Sequence, residues 1–207
     1  MDDSASPTLT LALLMVVVVA VQTFLRLFGV DPWTFALAWP LTERPWTLVT
    51  SVFAHAGFGH LLTNLVGLAI LGLLLERRTS PIRFYTFFLA TGIVAGVTQV
   101  TVATLVLGQP AAVLGASGAV FALFGYVLAG NRLTKAAASG ISIRPRTQLL
   151  AIVTVAVVLT VVTAGQRDAL IAHFTGLVLG IVAGRNHLLR PGQPEPTDRV
   201  GTDVPGR

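Results

Sequence analysis

Gly115-Ala116-Ser117-Gly118-Ala119-Val120-Phe121-Ala122-Leu123-Phe124-Gly125-Tyr126-Val127-Leu128-Ala129-Gly130 is the stretch on which the reading of the fold turns. It carries no charge, and its apolar residues run on unbroken after a single serine. Similar runs lie on both sides of it, as long blocks rather than periodic stripes, which is how helices immersed in lipid read. Of the 207 residues, 54% are hydrophobic and 11% are charged, whereas a soluble domain carries about a quarter charged residues. The expected fold class is therefore all-α, a polytopic membrane bundle.

Working outward from that block, six spans are expected, over residues 9–30, 60–75, 82–107, 117–130, 147–164 and 168–189. They form one membrane domain, 9–190, between a short N-terminal tail, 1–8, and a tail, 191–207, rich in Pro, Gly, Asp and Thr and expected to be disordered. Arg77, Arg78 and Arg83 lie between the second and third spans, Arg132, Lys135, Arg144 and Arg146 between the fourth and fifth, and Arg185 and Arg190 at the end of the sixth. The opposite loops hold Arg44 and Arg167, with Arg26 near the end of the first span. By the positive-inside rule both termini are cytoplasmic, in a multi-pass protein of the cell membrane. Spans two, four and six then all run from outside to inside. Met1-Asp2-Asp3 lacks the basic start of a secretory signal, so the first block reads as a retained helix.

The net charge of +5 could suggest nucleic acid in a soluble protein. Here the basic residues flank apolar blocks, which suits the lipid bilayer as partner and no nucleic acid. The absence of cysteine removes disulfides, thiolate catalysis and cysteine metal sites. Residues 31–59 gather Trp33, Trp39 and Trp46 with Pro32, Pro40 and Pro45. Trp favours the headgroup level, where its ring is half apolar and its N–H stays wet. This segment reads as a structured loop lying partly in the outer leaflet.

Polar side chains inside spans are costly, and each is a candidate site. Counted back from the charge that ends each span, Asn64 lies about 12 residues before Glu76, Ser117 about 15 before Arg132, and His173 about 12 before Arg185. At 1.5 Å per residue these are roughly 18, 22 and 18 Å, one height in the outer half of the membrane. His60 stands one turn above Asn64 on nearly the same face. A lone serine in such a helix commonly bonds its own i−4 carbonyl, and a lone histidine can be a satisfied core residue. Context argues otherwise. Gly115, Ala116 and Gly118 leave Ser117 uncovered at a helix start, where unpaired N–H groups can face a developing negative charge. Gly176, Gly180 and Gly184 follow His173 at a spacing of four, a stripe that lets helices approach closely; with Gly118 opposite, it could bring Ser117 and His173 together.

A serine hydroxyl becomes an effective nucleophile when a base takes its proton, and neutral imidazole suits that task near pH 7. No Asp or Glu lies inside a span at this depth, since Glu76 belongs at one end and Asp168 in the outer loop. A Ser117–His173 dyad is expected, with Asn64, a ring N–H of His60 and the backbone beside Gly115, Ala116 and Ser117 as oxyanion donors.

At these residues the chain resembles the rhomboid intramembrane serine proteases. Gly115-Ala116-Ser117-Gly118 is similar to the family's G-x-S-G nucleophile motif, His60-Leu61-Leu62-Thr63-Asn64 to its H-x-x-x-N, and Ala172-His173-Phe174-Thr175-Gly176, running on to Gly180 and Gly184, to its A-H-x-x-G-x-x-x-G helix. His55-Ala56 matches the histidine that leads into the second helix. The resemblance implies a six-helix bundle with a water-filled cavity open to the outside. It also implies Ser117 as nucleophile, His173 as base then acid, and His60 and Asn64 as oxyanion stabilisers, with no cofactor and no metal. Substrates would be single-pass membrane proteins with a small residue before the cut, entering by way of the fifth helix and its covering loop, residues 147–167. Two positions depart from the pattern: Thr47 follows Trp46 where many members have Arg, and Phe121 stands where some have Tyr.

Two other readings stay open on the residues alone. His55, His60 and His173 could hold zinc in an intramembrane metal hydrolase, although no HExxH and no carboxylate base accompany them. A transporter or a non-catalytic chaperone of membrane helices would leave Ser117 without a role; the former often carries internal repeats, and none is evident.

Overall fold

The computed structural model describes residues 6–130 and 169–189, and these are mostly helical: α1 (Pro7–Arg26), α2 (Thr47–Phe53), α3 (Phe58–Glu76), α4 (Pro81–Thr101), α5 (Ser117–Gly130) and α6 (Leu170–Arg185). The expected fifth span, 147–164, and the C-terminal tail lie outside the described residues. Among the described residues three helices are long and apolar enough to cross a membrane: α1, α3, and α4 with its continuation to Val106. Helices α5 and α6 are apolar but shorter. The 16 residues of α6 give roughly 24 Å, less than the ~30 Å hydrocarbon layer.

Helix α1 starts where its sequence supplies an N-terminus. Ser6 caps it, accepting from the Leu9 N–H at 3.2 Å, and Pro7 occupies the first turn. Glu76, the last residue of α3, accepts from the Ser6 hydroxyl at 2.8 Å and from the Thr8 N–H at 2.9 Å. That places a carboxylate at the positive end of the α1 dipole and ties two spans together at one interface.

The spans differ from their expected limits for identifiable reasons. The first was expected to reach residue 30, but α1 stops at Arg26 and passes through Gly29, whose φ is +82°. The third was expected as one helix to residue 107; regular α-helix ends at Thr101 and a π-helical turn covers Val102–Val106 before Gly108 at φ +65°. Hydropathy registers apolar length, not a change from i→i+4 to i→i+5 bonding. The sixth was expected over 168–189, yet α6 closes at Arg185, and the Leu189 N–H donates to the Tyr126 hydroxyl at 3.2 Å.

The segment between α1 and α3 is built of short elements. Asp31 caps a 3-10 turn (Pro32–Phe35), accepting from the Trp33 N–H at 2.9 Å. Strand β1 (Leu37–Ala38) then pairs antiparallel with β2 (Ala112–Val113), Leu37 opposite Val113, and α2 follows. The three tryptophans are exposed.

The packed interior gathers Leu11 and Met15 of α1, Val52 of α2, Leu61 and Leu68 of α3, Phe84 and Phe88 of α4, and Ala116, Ala119 and Leu123 at α5. Among the described residues the most extensive helix contact joins α5 to α6, and along one seam of it backbone meets backbone. A Cβ at Gly176 would overlap the Gly118 carbonyl, one at Gly180 the Ala122 carbonyl, and one at Gly125 the Leu177 carbonyl. A Cβ at Gly184 would meet the Tyr126 carbonyl. Lipid removes the hydrophobic drive between helices, so close van der Waals approach of this kind carries the association.

Candidate active site

Ser117 opens α5, and the residues before it are held from two directions. Gly115 has φ +121°, a region that residues bearing a Cβ rarely adopt, and the His60 ring lies against it. A Cβ at position 115 would stand 2.5 Å from His60 Cε1 and 2.7 Å from Nε2. The Gly115 N–H donates to the Ser51 carbonyl of α2 at 2.7 Å, so this amide is spent on anchoring the loop and does not face the serine. Ala116 is fully buried.

The Ser117 hydroxyl meets His173 instead of its own helix, with Oγ and Nε2 2.8 Å apart. His173 is 5% exposed and stacks on Phe121, ring centroids 4.4 Å apart and planes 13° from parallel. Its Nδ1 is buried with no hydrogen-bond partner among the described residues. No carboxylate orients it there; packing does. Residues 56 apart in sequence meet because the glycine seam brings the backbones of α5 and α6 together.

On the facing helix, Asn64 is buried and its Nδ2 donates to the His60 carbonyl at 2.9 Å, leaving the second amide hydrogen available. His55 is buried beside His60, rings edge to face at 5.0 Å. A cavity of about 220 Å³ opens among His60, Thr63, Asn64, Gly67, Leu71, Ser117, Val120, Phe121, Phe124 and His173. Thus Ser117, His173, His60 and Asn64, singled out separately in the sequence, border one space. His55, His60 and His173 do not form a group able to hold a metal ion among the described residues.

Two buried glutamines escaped the sequence reading. Gln22 of α1 accepts from the His55 N–H at 3.0 Å and donates to the Pro32 carbonyl at 3.5 Å, and Gln99 of α4 accepts from the Ala172 N–H at 3.0 Å. Both are polar residues in apolar spans, the signal that should have raised them.

A model of the rhomboid domain matches residues 42–189. The chain belongs to the rhomboid family. This rhomboid is 31% identical over 146 residues to RHOMBOID-like protein 5 of Arabidopsis thaliana, covering 70% of the chain and 45% of that relative. It is 42% identical over 76 residues to Rhomboid-like protein 11, chloroplastic, of the same plant, covering 37% and 26%. A Bacillus subtilis (strain 168) protein, provisionally named as rhomboid protease YdcA, is 35% identical over 83 residues, 40% of each chain. The rhomboid described here thus spans less than half the length of the curated relatives it matches.

Proposed function

We propose that this rhomboid is an intramembrane serine endopeptidase working through Ser117 and His173. The 2.8 Å contact between Ser117 Oγ and His173 Nε2 carries the reading. For Nε2 to act as base its lone pair faces the hydroxyl, so the ring proton resides on Nδ1. As Oγ attacks the scissile carbonyl carbon, its proton passes to Nε2 and the carbonyl oxygen takes the negative charge. His60 and the free Asn64 N–H border the cavity where that oxygen would lie, and the first N–H groups of α5 open toward it. His173 then returns the proton to the departing amine nitrogen as the C–N bond breaks, and water repeats the sequence on the acyl-serine.

Six spans, both termini in the cytoplasm and a site facing the outer half complete the proposal. The charge distribution along the chain supports that orientation. Substrates are single-pass membrane proteins whose helices unwind locally, with a small residue before the cut. The 220 Å³ cavity bordered by Val120, Phe121 and Phe124 suits a short side chain.

The test is labelling of the detergent-purified protein with a serine-directed fluorophosphonate, alongside cleavage of a transmembrane model substrate. Wild type is expected to label and cleave without effect of chelator, and Ser117→Ala and His173→Ala to do neither. Cleavage surviving Ser117→Ala would sink the serine mechanism. A folded wild type that neither labels nor cleaves would point to a chaperone of membrane helices.

A further inference from the structure

Gln99 is a long polar side chain near the end of the apolar α4, and only 4% of it is exposed. Its Oε1 accepts from the Ala172 N–H at 3.0 Å. Ala172 is the third residue of α6, so its N–H is one of the four that a helix leaves without an internal partner. In hydrocarbon no water takes that place. The residue before α6, Ala169, offers no side-chain cap; the helix receives its acceptor from α4 instead. The next residue along α6 is His173.

We infer that Gln99 is a positioning residue for His173. One carbonyl oxygen, delivered from a neighbouring span, fixes the height and rotation of the first turn of α6, and that turn sets where Nε2 falls against Ser117 Oγ. This rests on the proteolytic reading of the pair. Gln99 borders neither the serine nor the cavity, so its loss disturbs the chemical step and leaves substrate binding alone.

The experiment compares wild type, Gln99→Met and Gln99→Glu as full-length protein in detergent. Fluorophosphonate labelling, kcat and KM on a transmembrane model substrate are measured, with labelling and kcat normalised to the folded fraction from thermal unfolding. Met keeps length and removes the acceptor; Glu keeps an acceptor oxygen. Gln99→Met is expected to label and cleave about tenfold more slowly with KM within about twofold, the pattern of a lost transition-state contribution. Gln99→Glu is expected to recover to within about threefold of wild type. If Gln99→Met does not fold, Gln99→Asn, which keeps the amide one methylene short, is expected to show the same kcat loss. Wild-type kcat per folded Gln99→Met or Gln99→Asn molecule overturns the inference, as does an equal kcat loss in Gln99→Glu. Failure of wild type to label at Ser117 removes the proteolytic reading itself, a separate result from any change at Gln99.

Discussion

Gly115 is a position at which one added methyl group would disturb both the backbone and the cavity lining. Its φ of +121° disfavours a Cβ, and the His60 ring occupies the space that the Cβ would need. Gly115→Ala is therefore expected to cut cleavage at least about tenfold by displacing His60, with backbone strain of about 1–3 kcal/mol lowering the unfolding temperature. Cleavage kinetics together with thermal unfolding would check it; a fully active, undestabilised variant would contradict it. Phe121 permits a milder change. Removing its stack on His173 in Phe121→Ala gives up about 0.5–1.5 kcal/mol of aromatic contact, so a kcat loss of about tenfold is expected, while Phe121→Tyr stays near wild type. At this scale the sequence was informative at Ser117, His173, His60 and Asn64, polar groups whose cost in an apolar span singled them out before the structure brought them to one cavity. The roles of Gln22 and Gln99 were hidden, because each bonds a backbone N–H far away in sequence, and a backbone partner leaves no trace in composition.

Helices α5 and α6 were drawn correctly as neighbours because small residues at spacing four prescribe close approach. A branched side chain in their seam has nowhere to go. Gly180→Val would drive a Cβ into the Ala122 carbonyl and, since backbone cannot swing aside as a side chain can, is expected to cost at least the roughly 1–3 kcal/mol of ordinary overpacking. Unfolding in mixed micelles would show it, and Ser117 labelling would fall together with the folded fraction. Where the helices stop was less legible. The π-helical turn at Val102–Val106 falls inside a largely apolar stretch, and hydropathy carries no information on hydrogen-bond register. Within residues 31–59, α2 and the pairing of Leu37 with Val113 were not foreseen, since two-residue strands leave no periodicity to detect.

For the molecule in its membrane, the testable quantity is orientation. The chain has no cysteine, so any thiol introduced is the only one present. Glu43→Cys is expected to react with an impermeant maleimide in intact cells, and Arg78→Cys only after the membrane is opened. The reverse pattern would place the cavity on the cytoplasmic side.

The seam between α5 and α6 has a mechanical consequence. Where main chain meets main chain there are no rotamers through which to relax, so along the glycine seam the two helices behave as one strut carrying both Ser117 and His173. Such a strut cannot be tuned by small sliding motions. On the proteolytic reading, control would then fall to the parts that admit or refuse a substrate, with the pair already in place before anything arrives.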